Sequence, residues 1–159
     1  MATVYSNVRT DLTQDDPKEF VKANQIGGRV RVAHASYEAA SLAADDVIEM
    51  FSLPQGARIV GGYLYFDDLG TGTTMDVGHA AYTNGSGSSV AADADEFLDG
   101  QDTASAAGRA DVAATLALGA NTVVDLDQSV IDNEYVVTCT NLGAAATGTI
   151  ELVMYYVVD

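Results

Sequence analysis

Two histidines, one cysteine and a run of acids are the residues of this 159-residue chain best suited to chemistry. His34 and His79 each sit in a strand-like stretch with no acid or nucleophile at motif spacing. Each therefore reads as a strand histidine in a polar or satisfied position. The chain contains no Gly-x-Ser-x-Gly, no Gly-x-x-x-x-Gly-Lys-Ser/Thr and no His-Glu-x-x-His. Gly70-Thr-Gly72 leads from one strand-like segment into another, so no helix N-terminus is available there to cradle phosphate. The acids Asp93, Asp95, Glu96, Asp99 and Asp102 are oxygen ligands of the kind Ca²⁺ prefers. Their glycine, Gly100, falls outside the EF-hand spacing and no glutamate closes the loop, so a solvated acidic loop is the plainer reading. Paired carboxylates also serve glycosidases, but such a site needs aromatic platforms and the chain has no Trp. Cys139, the single cysteine, can form neither an internal disulfide nor a thiolate metal site. It shares a strand face with Tyr135 and Val137, as a small buried hydrophobe would. These residues predict no enzyme, no metal and no cofactor.

The elements around them read as β-structure from Gly28 onward. Arg29–Tyr37 alternates Val30, Val32 and His34 against Arg29, Arg31 and Ala33, as a half-buried strand would. Val47–Leu53 and Arg58–Phe66 are strands separated by Pro54-Gln-Gly56, whose proline and glycine signal a type I turn. Gly61-Gly62 inside the second marks a bulge or a close backbone approach. Thr73–His79, Thr122–Asp127, Glu134–Asn141 and Thr147–Val158 complete the clear strands. The last is apolar on both faces, Ile150, Leu152, Met154, Tyr156 and Val158 on one and Val153, Tyr155 and Val157 on the other. Such a strand is central in its sheet, or its outer face meets another subunit. Between the clear strands, Glu38–Asp46 reads as a loop or short helix and Ala92–Leu98 as a short helical turn. Asn84–Ser89 reads as a flexible loop, and Ala110–Leu118 as strand rather than helix. Seven or eight strands at this spacing predict an antiparallel β-sandwich of jelly-roll type over residues 28–159, preceded by an extended N-terminal arm over 1–27.

The chain holds 23 Asp and Glu against 7 Lys and Arg, a formal net charge of −16. Five of the seven bases (Arg9, Lys18, Lys22, Arg29 and Arg31) precede residue 32, where only four acids stand. The remaining 128 residues thus hold 19 acids against Arg58 and Arg109. A surface this acidic repels phosphate and anionic lipid, which excludes nucleic acid and membrane as partners. It also suits a soluble protein kept apart by repulsion, or one working in brine where salt screens that repulsion. No signal peptide and no apolar run near the ~18 residues of a spanning helix is visible. The expectation is a soluble product made in the cytoplasm. Ordering an arm of ~25 residues costs on the order of 25–50 kcal/mol of backbone entropy. Its few apolar residues cannot offset that alone, so the arm is expected to lie against its own sandwich or a neighbouring subunit.

One resemblance rests on four stretches of the chain: Met1-Ala-Thr-Val-Tyr-Ser-Asn7, Gly27-Gly-Arg-Val-Arg31, Phe51-Ser-Leu-Pro-Gln-Gly-Ala-Arg-Ile-Val-Gly-Gly62 and Leu152-Val-Met-Tyr-Tyr-Val-Val-Asp159. In these the chain resembles the decoration or cement proteins of tailed-phage heads and related viruses, while residues 80–120 match poorly. The resemblance implies a β-sandwich on the outside of the virion capsid, made in the host cytoplasm. It further implies a homo-oligomer, often a trimer, that clamps neighbouring major capsid proteins. Arg9, Lys18, Lys22, Arg29, Arg31 and Tyr155 are the expected interface residues. Two other classes stand beside it, a receptor- or glycan-binding module of a tail or fibre and a phage-encoded hydrolase. The first should carry an exposed aromatic patch on a loop, yet most tyrosines here lie in strands. The second lacks any catalytic motif.

Overall fold

The computed structural model describes residues 6, 8, 9, 22 and 25–158. Most of the expected arm, Lys18 included, lies outside the described residues. Eight strands make the body: β1 (Val30–Leu42), β2 (Val47–Leu53), β3 (Arg58–Phe66), β4 (Thr73–His79), β7 (Asp93–Asp102), β8 (Gly108–Val112), β9 (Tyr135–Gly143) and β10 (Ala146–Val157). A small hairpin, β5 (Tyr82–Thr83) with β6 (Ser89–Val90), sits between β4 and β7. Sheet A has the order β1-β10-β3-β8 and sheet B the order β2-β9-β4-β7. All pairings are antiparallel. The chain changes sheet at every connection except the one carrying the hairpin. This is the double Greek key of a jelly roll, so the expected sandwich is met.

The core follows from alternation. Ile59, Leu64, Ile150, Leu152 and Met154 point inward from sheet A, and Met75, Val77, Val137 and Cys139 from sheet B, all fully buried. Burial pushes the Cys139 thiol up to about 12, so it stays protonated at neutral pH. His79 is also inside, its Nδ1 2.9 Å from the Ala80 carbonyl oxygen and its ring 5.1 Å from that of Tyr135. It is the satisfied strand histidine expected of it.

Several local expectations are corrected. β1 runs on through Glu38–Leu42 and so absorbs most of the stretch read as loop or helix. Its faces are also inverted. Val30 and Val32 are 63% and 57% exposed, while Ala33, Ala35 and Ala39 point inward. Small residues are the ones that fit where β1 packs against β2 across the sandwich. Ala92–Leu98 is not a helical turn but the start of β7. Thr122–Asp127 is not a strand. It is pinned to the start of β3 by one bridge, Val123 to Arg58, and by Val124 N–H donating to the Ala57 carbonyl at 2.8 Å, and then departs. Ala110–Leu118 divides into β8 and a single 3₁₀ turn at Leu116–Leu118. The Pro54 turn closes one residue late. Ala57 N–H donates to the Pro54 carbonyl, which puts Gly56 third with φ +79°, as a type II turn requires.

The four sheet edges differ. β8 is five residues long, β2 is bulged between Glu49 and Phe51, and β7 carries two register shifts and five acids. Shortness, bulges and charge are the devices that discourage strand pairing between molecules. β1 is neither short nor bulged over its first eleven residues, where its register with β10 is unbroken from Val30 to Ala40, and its formal charges there are Arg31 and Glu38.

Asp76 holds the bulge of β7. It is 6% exposed on β4 and its Oδ1 accepts the Gly100 N–H at 2.6 Å, where Gly100 takes φ +62°. Burial raises its carboxyl above the usual carboxylate range, the Gly100 hydrogen bond opposes this, and Asp99 adds to it. A raised folded pKa means the protonated form is favoured by folding. The contribution of this group is therefore greatest at low pH and is lost as pH rises through a value above 3.8. Asp76→Asn keeps an acceptor for Gly100 and removes the buried charge. Its urea midpoint is expected to equal or exceed the parent's at pH 7 and to lose that advantage near pH 3.

A candidate interaction face on sheet A

The outer face of sheet A is built by registers that put even-numbered residues of β1 beside odd-numbered residues of β10 and β3. Val30 lies opposite Val157 and then Arg58, while Val32 lies opposite Tyr155 and then Gly61. Val153 stands opposite His34 on one side and Tyr63 on the other. Between Tyr155 and Tyr156 the register shifts, so β3 inserts Val60 as a bulge, 45% exposed. Gly62 must be glycine here: a Cβ would overlap the Val153 carbonyl oxygen and stand 3.1 Å from Met154 Cα. The expected bulge and the expected close approach are thus both present in the Gly61-Gly62 pair.

With no side chains on that pair, a hollow of about 280 Å³ opens beside Tyr63 and Tyr155. Tyr63 and Tyr155 meet edge to face at 6.0 Å between ring centres, and Tyr65 follows at 6.1 Å from Tyr63. The Arg109 guanidinium stacks 4.5 Å over the Tyr63 ring, a cation–π contact, and stands 3.7 Å from the Asp111 carboxylate. Val30, Val32, Val60 and Tyr65, four exposed large hydrophobics, therefore belong to one sheet and not to scattered loops.

Charge is divided between the two sheets. The strands of sheet A hold Arg31, Arg58 and Arg109 against Glu38, Asp111 and Glu151. Those of sheet B hold Glu49, Asp76, Asp93, Asp95, Glu96, Asp99 and Asp102 with no Lys or Arg at all. Within β7 the acids press on one another. A hydrogen bond and charge repulsion from Asp93 raise the Asp95 carboxyl above its usual range. The acids are strung along a ten-residue strand instead of wrapping into a loop. Among the described residues no group of three or more His, Cys, Asp or Glu is placed to hold a metal ion. No helix of the described residues is long and apolar enough to cross a membrane.

Of the expected interface residues, Arg29, Arg31 and Tyr155 lie at the end of sheet A where β1 begins and β10 finishes, but on different faces: Tyr155 is on the outer face opposite Val32, and Arg31 is on the other face opposite Tyr156. Arg29 and Arg31 are exposed and Tyr155 is half-buried. Arg9 and Lys22 are exposed among the described residues of the arm, and Lys18 is not described. Sequence reasoning missed Arg58, Arg109, Tyr63 and Val60. Arg58 donates from Nη1 to the Asn121 carbonyl at 3.2 Å and closes the same rim. The signal for these was available in part, since Arg58 and Arg109 are the only bases after residue 31.

No family model and no curated protein matches the chain. Solved structures do. A chain of the cyanophage Pam1 capsid asymmetric unit is 20% identical, with 92% of this chain and 97% of that one covered and a TM-score of 0.57. A chain of the capsid of Ralstonia phage GP4 is 25% identical, with 83% and 86% covered and a TM-score of 0.60. A chain of the acid-stable capsid of Helicobacter pylori bacteriophage KHP30 is 14% identical over 81% and 87%, at a TM-score of 0.53. The chain is therefore related in fold to phage capsid components, and its sandwich is theirs across most of its length. The expected kinship with phage head proteins is met at that level.

Proposed function

We propose that the chain is a virion structural protein that decorates the outer surface of the assembled capsid and cements neighbouring major capsid proteins. The observation that carries this reading is the division of charge between the sheets, on a fold found in phage capsids. Six surface acids on sheet B, Asp76 being buried, repel packaged nucleic acid, which favours the exterior and turns that sheet to solvent. The aromatic and apolar end of sheet A is left for protein. The arm, with Arg9, Lys18 and Lys22, reaches an acidic neighbour without repulsion. The subunit works as a homo-oligomer, with a trimer at local symmetry axes as the preferred form. Its action is mass action: a protein that binds only the assembled lattice stabilises that lattice. Catalysis plays no part in this reading.

The test adds purified chain to capsid shells assembled without it and follows co-sedimentation and shell melting. Saturable binding and a higher shell melting temperature are expected. Free chain at every concentration, with melting unchanged, overturns the proposal.

A further inference from the structure

A small hollow opens on the outer face of sheet B, away from the sheet A patch. The registers set Val47 opposite Thr140 and then Asp76, and Glu49 opposite Thr138 and then Gly78. These residues share the face turned away from Ile48, Val77, Val137 and Cys139, which lie in the core. Gly78 lets the chain at the start of β7 cross close above the sheet, so Ala92 and Ala94 form one wall. Val47 and Glu49 form the other, with Thr138 and Thr140 between them. The hollow measures about 210 Å³, more than the roughly 150 Å³ that admits benzene to an apolar cavity. Thr140 is 6% exposed, and its Oγ1 is the one buried hydroxyl among the described residues without a hydrogen-bond partner. A buried hydroxyl left unpaired is costly, and a ligand seated in the hollow would pair it.

We propose that this hollow binds an alkylammonium group, carried by a free amine or by a lysine side chain. Its polar lining suits a cation. Glu49 has no ion-pair partner among the described residues, and the strands of sheet B hold no Lys or Arg to supply one. Two threonine hydroxyls and one carboxylate offer acceptors to match the three N–H donors of an ammonium. Asp76, opposite Thr140, and Asp93, between the two alanines, add a negative potential that concentrates cations and repels anions. A wholly apolar guest would leave Thr140 Oγ1 unpaired. A bare metal ion finds no set of three or more ligating side chains among the described residues. A short alkyl chain ending in ammonium meets both demands. Its methylene groups cover Val47, Ala92 and Ala94 while its charge reaches the hydroxyls and Glu49, the division a lysine stem and head make elsewhere. Binding of this kind needs no capsid, so it stands or falls apart from the decoration role and is tested on the free chain.

The test titrates n-butylammonium chloride into the full chain and follows backbone amide shifts by NMR, with sodium chloride at matched ionic strength as the blank. Saturable shifts at millimolar concentration are expected in residues 47–49, 92–94 and 138–140. n-Butanol, the same chain without the charge, should bind at least about tenfold more weakly, as should butylammonium to either of two variants. Thr140→Val keeps the branched shape and removes the hydroxyl. Glu49→Gln removes a charge at an exposed position, so it folds even if the first does not. The diamine of the same length and a lysine blocked at both ends separate the two sources. Tighter binding of the diamine assigns the hollow to free amines, and equal or tighter binding of the blocked lysine assigns it to a protein side chain. No saturable shift in these residues overturns the proposal. Butanol binding as well as butylammonium does so too, as does a folded variant of either kind that binds butylammonium like the parent.

Discussion

Replacing Gly78 by alanine is expected to destabilise the sandwich by at least about 3 kcal/mol, the upper end of what overpacking costs. Gly78 lies in the middle of sheet B, opposite Thr138 on β9, and the first residues of β7 cross directly over it. A Cβ there would overlap the Asp93 carbonyl oxygen and stand 2.5 Å from the Ala94 carbonyl carbon. Both obstacles are backbone, so no side-chain rotation relieves them. The strand must move, taking with it the acidic edge and the bulge that Asp76 holds. Gly85→Ala is the matched control. The atoms its Cβ would meet belong to the Asp125 side chain, which can swing away, so less than about 1 kcal/mol is expected. Urea midpoints of the two variants decide it, and a Gly78→Ala variant as stable as Gly85→Ala would refute the packing described.

The second large effect belongs to Asn141. This fully buried side chain donates from Nδ2 toward three carbonyls, those of Leu42 at 3.2 Å, Ala43 at 3.0 Å and Ala144 at 2.9 Å. Two amide protons are thus shared among three acceptors. They tie the β1–β2 crossover to the β9–β10 turn, across about a hundred residues of chain. Asn141→Ala removes these three bonds and leaves the Leu42, Ala43 and Ala144 carbonyls without this donor, for an expected loss of about 2–4 kcal/mol. Asn141→Asp is expected to be worse at pH 7, because a carboxylate would face three carbonyl oxygens. Its folded pKa would be raised, so part of that deficit should be recovered on acidification as the carboxyl gains a proton to donate. A pH-independent Asn141→Asp variant would show that the side chain does not make these contacts.

How far the sequence reaches depends on what punctuates each strand. β2, β3 and β4 are legible to the residue because proline, glycine and aspartate turns bracket aliphatic and aromatic runs. β7 is not, since Ala92-Asp-Ala-Asp-Glu alternates only small alanines with acids and has no β-branched or aromatic residue to mark a strand. It is a strand through its pairing with β4 and its acids' exposure at an edge. The inverted faces of β1 are the more instructive case. Alternation of valine with alanine and arginine gives the period correctly but not the sign, because hydrophobicity alone assigns valine to the core. Here the space inside admits only alanine, and the valines face outward into the patch. Tyr155 was legible as an outward residue on an apolar strand, and its neighbours Tyr63 and Arg109 were not, since strand order brings together residues far apart in the chain. The hairpin region was illegible for a similar reason: Thr83 and Asn133, fifty residues apart, clasp each other by two hydrogen bonds.

The central claim, an acidic β-sandwich on the outside of a capsid, is tested most directly by a density map of the virion at side-chain resolution. The expected map shows this chain in many copies over the shell exterior, with β7 and the rest of sheet B's acids away from the nucleic acid. Density confined to the tail, or on the inner wall facing packaged nucleic acid, would contradict it.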